Sequence, residues 1–309
     1  MITSIFNKTR PLNYLILGIL LLVSFVLYYF SNNLFNEGLK SVGFSILYFS
    51  VLGASLILVN FITLKNTLTK NTNFSVLFFF IFLLFFPKNF QDGELLISNF
   101  FLLLALRRLI SLKSMVSIKE KIFDASFWIF IAALFHFWSI LYIILVFVSI
   151  ILHVSRDFKN WLIPFVALFS VFVLFSAINL FLDNAPLNHL QHEALFSLDF
   201  TYFENIYQNI ALAIFASIAL LFFVNMLFSI NSKALNLQSS YKKIVFSFIL
   251  GITIYVFSAN KNNACLIFSL TPLSIMGANF IENLDNKILK EIVLDVIILF
   301  GLFFFTMSL

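Results

Sequence analysis

Ile122–His153 reads IFDASFWIFIAALFHFWSILYIILVFVSIILH, thirty-two residues with Asp124 as the one Asp, Glu, Lys or Arg among them. A membrane-spanning helix needs about 20 apolar residues, so this stretch is long for one crossing and short for two. The charges on either side decide between the alternatives. If 122–153 enters and leaves on one face, 16 of the 19 Lys and Arg fall on that face and only Lys40, Lys88 and Lys261 lie opposite. If it crosses once, every later loop changes sides and the split becomes ten to nine. Positively charged residues concentrate on the cytoplasmic side of membrane proteins, which favours a hairpin broken near Phe135-His136-Phe137-Trp138-Ser139. Such a break is tolerated only where its backbone is buried in protein. One long tilted helix with a weak charge bias is the plainer alternative.

Composition bounds the rest. Hydrophobic residues make up 61% of the 309 residues and charged residues 11%, with a mean hydropathy of +1.04. Soluble domains carry about 25% charged residues, so a chain this apolar reads as an integral membrane protein. Apolar runs near 14–31, 41–63, 74–87, 95–110, 161–182, 207–230, 243–258, 264–281 and 291–308 predict about nine full spans. With the hairpin they make a polytopic all-α bundle in a single membrane domain covering 1–309. The net charge of +5 is dispersed over short loops, as orientation requires, and argues against nucleic acid. Cys265 is the single cysteine, which excludes an intrachain disulfide and a cysteine metal site. Lys8 and Arg10 precede the first apolar run without a small-residue cleavage site after it, which predicts an uncleaved first helix and a cytoplasmic N-terminus in a bacterial inner membrane.

Polar residues on the predicted outer face fall in three places. The first loop carries Glu37 and Lys40. The second reads Pro87-Lys88-Asn89-Phe90-Gln91-Asp92-Gly93-Glu94. The third carries Asp183, His189, His192, Glu193, Asp199 and Glu204 without a Lys or Arg. An acidic external loop is ordinarily a solvated one. Asp92 and Glu94 flank a turn glycine near the membrane surface, where carboxylates can act as a general base or hold a divalent cation; a turn and helix cap is the plainer reading. His136, at the hairpin tip, can approach His189 and His192, whereas His153 belongs to the opposite face. Mid-depth ionisable groups of the kind that pumps use are scarce.

The runs Asn99–Arg108 and Asp124–Phe135 resemble an uncharacterised family of polytopic inner-membrane proteins from Bacteroidota. The same arrangement, with Leu270-Thr271-Pro272-Leu273-Ser274-Ile275-Met276-Gly277-Ala278-Asn279 late in the chain, is distantly similar to GT-C type glycosyltransferases. That resemblance implies transfer of a sugar from a polyprenyl-phosphate donor at the outer face. It implies Glu37 and Asp92 as catalytic carboxylates and Glu94, Lys261 and His136 as substrate contacts, with a divalent cation as the possible cofactor. No Arg-Tyr pair precedes Pro272, where such enzymes commonly carry one. A non-enzymatic scaffold or assembly subunit of an envelope pathway and a lipid flippase are the alternatives. A buried acidic pocket facing outward speaks against the scaffold.

Overall fold

The computed structural model describes residues 2–34, 38–154, 157–182, 185–198, 206–259 and 261–309. These residues are helical almost throughout, in the order α1 (Ile2–Phe6), α2 (Pro11–Ser31), α3 (Leu39–Lys65), α4 (Phe74–Phe85), α5 (Gly93–Ser111), α6 (Ile118–Phe135), α7 (Ile143–His153), α8 (Lys159–Phe181), α9 (Ala185–Glu193), α10 (Ile206–Ser229), α11 (Leu235–Phe257), α12 (Ile267–Asn283) and α13 (Lys287–Met307). Among the described residues, seven helices are long and apolar enough to cross a membrane, beginning at Pro11, Lys40, Gly93, Lys159, Ile206, Leu235 and Asn263. The expected spans near 74–87 and 291–308 are present as α4 and α13 but are not among these seven. The first has only 12 helical residues, and the second carries Lys290, Glu291 and Asp295.

Short α4 makes sense from its surroundings. All twelve of its residues are buried, and it packs on α12 and α13, so its length answers to the protein interior rather than to lipid. The candidate span that ends in α12 is itself 94% buried, whereas the α8 span is only 17% buried and presents its apolar side chains outward.

The stretch 122–153 is a hairpin. Helix α6 ends at Phe135, residues Phe137–Tyr142 form a 3₁₀ turn, and α7 runs back to His153. Its two ends meet at one end of the bundle: Lys119, Glu120, His153 and Val154 line a common cavity. Lys121 Nζ donates to the Ser111 carbonyl, and His153 Nε2 lies 3.0 Å from Lys243 Nζ, which donates to the Leu109 carbonyl. The broken backbone lies inside protein, as the absence of water in lipid demands. Ser98 Oγ donates to the Ala132 carbonyl and lies 2.7 Å from Ser139 Oγ.

Tyr142 ties the hairpin to the centre. Pro272 lacks an N–H, so the Phe268 carbonyl four residues earlier has no partner within α12. The Tyr142 hydroxyl lies 3.1 Å from both that oxygen and the Ser247 carbonyl of α11. Helices α11 and α12 meet closely there because Gly251 has no side chain; a Cβ would lie 2.8 Å from the Phe268 backbone.

Charge separates along α5. Asp92 and Glu94 stand at its start, and Arg107 and Arg108 in its last turns. Nineteen residues of helix span about 28 Å, close to the thickness of a bilayer core. The acidic end also holds Glu193. The basic end gathers Lys65, Lys113, Lys121 and Lys243.

Candidate functional site

The site forms where the hairpin tip meets the start of α5. Asp92 immediately precedes α5, and Gly93 begins it beneath the phenol of Tyr48; any larger residue at 93 would collide with that ring. Glu94 follows in the first turn. Opposite them, the break after Phe135 places His136 in the interior, 4% exposed, with its ring 5.5 Å from that of Phe268 and nearly parallel to it.

Glu193, the last residue of α9, closes the arrangement. Its Oε2 lies 3.2 Å from His136 Nδ1, and His189, one turn earlier, places Nε2 3.1 Å from Glu94 Oε1. Asn262 completes the set. Its Oδ1 accepts from the Cys265 N–H at 3.2 Å, which turns its Nδ2 toward Asp92 Oδ2 at 3.4 Å. Asp92, Glu94, His136, Glu193, Asn262 and Cys265 together line a cavity of about 160 Å³.

The electrostatics follow from burial. The Asp92 carboxyl is held above its ordinary value, chiefly by burial, against the opposing hydrogen bond from Asn262. His136 presents Nδ1 to the Glu193 carboxylate, which orients the ring. Its Nε2 is buried and has no hydrogen-bond partner among the described residues. An imidazole oriented by a carboxylate beside a cavity can take a proton from an incoming hydroxyl.

A strap runs beside the cavity. Phe196 pairs with Ser258 in an antiparallel bridge, Trp138 Nε1 donates to the Leu195 carbonyl at 3.3 Å, and Lys261 Nζ donates to the Ser197 carbonyl. The rings of Trp138, Phe196 and Phe257 stand 5.2–6.1 Å apart beneath it.

Of the residues expected from sequence, Asp92, Glu94 and His136 come together here, and Lys261 lies beside them under the strap. Glu37 lies outside the described residues, as do Asp183, Asp199 and Glu204. Glu193 and His189, read in the sequence as part of a solvated loop, are in fact partners of His136 and Glu94. Asn262, Ser258 and Tyr48 carried no signal. Among the described residues, no group of three or more His, Cys, Asp or Glu is arranged to hold a metal ion. Glu94 and Glu193 are each engaged by a histidine, so the described residues alone do not make a site for the expected divalent cation.

Comparison with curated proteins and with solved structures gives no match. A family model does match, over residues 1–309, and the chain belongs to that family of unknown function, DUF6427.

Proposed function

We propose that the chain is a membrane-embedded transferase that works in the acidic pocket, moving a sugar from a polyprenyl-phosphate donor to an acceptor hydroxyl. One observation carries the reading: the Glu193–His136 pair lines one cavity with Asp92, and the second imidazole nitrogen, buried, has no hydrogen-bond partner among the described residues. A scaffold has no need of a desolvated carboxylate and an unpaired imidazole in one cavity, because both cost stability. By the positive-inside rule the basic end of α5 is cytoplasmic and the acidic pocket faces outward, in the inner membrane, with the N-terminus inside.

In this reading the acceptor hydroxyl gives its proton to His136 Nε2, with Asp92 the second carboxylate near the reacting oxygen. The acceptor oxygen bonds to the anomeric carbon as the bond from that carbon to the phosphate oxygen breaks, and the lipid phosphate leaves with the electron pair. Glu193 holds the imidazole in its tautomer and stabilises the imidazolium that forms. Lys88 and Gln91 line a neighbouring cavity of about 260 Å³, which offers the leaving phosphate a cation. No step is assigned to a metal. A cavity of 160 Å³ is smaller than the roughly 300 Å³ at which ligand pockets begin, so a glycosyl group enters only when the strap lifts.

The test compares lipid-linked sugars in a deletion strain rescued by wild type or by the double variant Asp92→Asn with His136→Gln. The reading predicts a lipid-linked donor that accumulates in the deletion and persists with the expressed, folded double variant. Full rescue by that variant would discard the site and move the scaffold reading ahead.

A further inference from the structure

The basic end of α5 holds a second cavity, of about 320 Å³, which takes no part in the pocket just described. Lys65, Arg107, Arg108, Lys113 and Lys121 line it, and no carboxylate does among the described residues. Each cation is positioned rather than loose. Arg107 and Lys65 lie 4.5 and 4.8 Å from the ring centroid of Phe61. Lys113 Nζ donates to the Asn66 carbonyl, and Lys121 Nζ to the Ser111 carbonyl and Ser114 Oγ. Arg108 engages the Asp124 carboxylate at 2.8 Å. Carbonyls and ring faces orient these cations without neutralising them, so positive charge converges on one space. Burial, with Arg108 and Lys65 nearby, holds the Lys121 ammonium below the ordinary lysine value.

The cavity sits where α3 and α5 end, with Val116 exposed at its rim. We propose that it binds a phosphate-bearing anion: the phosphate of an anionic lipid headgroup, or free phosphate of the same chemistry. Arginine offers a planar fork of N–H donors to phosphate oxygens, and lysine adds point charge. Since the site lies a helix length from His136, its ligand is not the substrate of the acidic pocket, and either assignment can fail without the other.

The experiment is native mass spectrometry of the full chain in detergent, titrated separately with phosphatidic acid, phosphatidylcholine and inorganic phosphate. Phosphatidic acid is expected to bind more tightly than phosphatidylcholine. The double variant Lys65→Gln with Arg107→Gln should weaken that binding about thirtyfold, each cation contributing roughly fivefold. Lys119→Gln with Lys159→Gln removes the same charge outside the cavity and should leave binding within about twofold. Equally tight binding of inorganic phosphate, lost in the same variant, assigns the site to the free anion. If the double variant does not fold, Lys65→Gln alone, at an exposed position, should still weaken binding about fivefold. The proposal is overturned if neither phosphate probe binds more tightly than phosphatidylcholine, or if cavity and control variants bind alike.

Discussion

The two ends of α5 handle buried charge in opposite ways. At the acidic end each carboxylate has a specific partner: Glu193 faces His136, Glu94 faces His189, and Asp92 accepts from Asn262. Within that set, the imidazole nitrogen of His136 that faces away from Glu193 has no hydrogen-bond partner among the described residues. Around the cavity at the basic end five cations share carbonyls, an aromatic ring and the Asp124 carboxylate, and the surplus is net charge. A cluster balanced apart from one proton-accepting atom suits chemistry on a hydroxyl. A cluster held in place but uncompensated suits orientation in a membrane and retention of an anion.

The sharpest way to break this contrast is at His136. His136→Gln, or Glu193→Gln behind it, should lower transfer by about a hundred- to ten-thousandfold, the range of a lost general base, while leaving thermal stability close to wild type. An equal loss from Lys121→Gln would erase the distinction between the ends.

Next in size is Glu282, at the basic end. Both of its carboxylate oxygens accept from the Lys70 N–H at 3.0 Å, and Thr72 Oγ1 lies 2.5 Å from Oε1. Glu282→Ala strands those donors in the interior and should cost about 3 kcal/mol, read as a lowered Tm in detergent. Its effect belongs to the fold, so the pH profile of transfer by the surviving folded protein should not move.

Asp92 gives a smaller effect with a definite sign. Its folded pKa is raised, so the native state binds its proton more tightly than the unfolded chain does. Between the unfolded and folded values stability therefore falls as pH rises, and above the folded value the penalty is complete. Asp92→Asn removes the penalty. Its Tm should exceed that of wild type at neutral pH, and the gain should vanish as pH drops below the unfolded value. A variant less stable than wild type at neutral pH would show that Asp92 is a structural cap.

Gly93→Ala is the mildest probe. Its methyl must displace the Tyr48 ring from above the start of α5, which should cost about 1 kcal/mol and change transfer only severalfold. Unchanged stability and rate would place Tyr48 outside the working arrangement.

Hydropathy made the long apolar helices legible, because lipid and buried protein both select apolar residues. It could not tell the two apart, and α4, expected as a full span, is a helix of 12 residues, all of them buried. The hairpin was visible chiefly through the positions of charges beyond it, since its own length falls between one crossing and two. In the site, Asp92, Glu94 and His136 stood out as polar residues beside breaks in apolar runs. Glu193 did not, because an acid in a polar loop reads the same whether it is solvated or folded back onto a histidine 57 residues away. Asn262 lies 170 residues from Asp92, and no local pattern links them. The basic loop was legible as an orientation signal. The closing of its cations around Phe61 was not, because that depends on how α3 and α5 pack.

The account depends most on the hairpin returning to its own side, which sets the basic and acidic ends on opposite faces. Single cysteines placed by Lys119→Cys, Lys159→Cys or His189→Cys in a Cys265→Ser background can be labelled in intact spheroplasts with a membrane-impermeant maleimide. Labelling at 189 from outside, with 119 and 159 both protected until the membrane is permeabilised, is the predicted result. Labelling of 119 and 159 from opposite sides would mean that 122–153 crosses once, and would contradict the account.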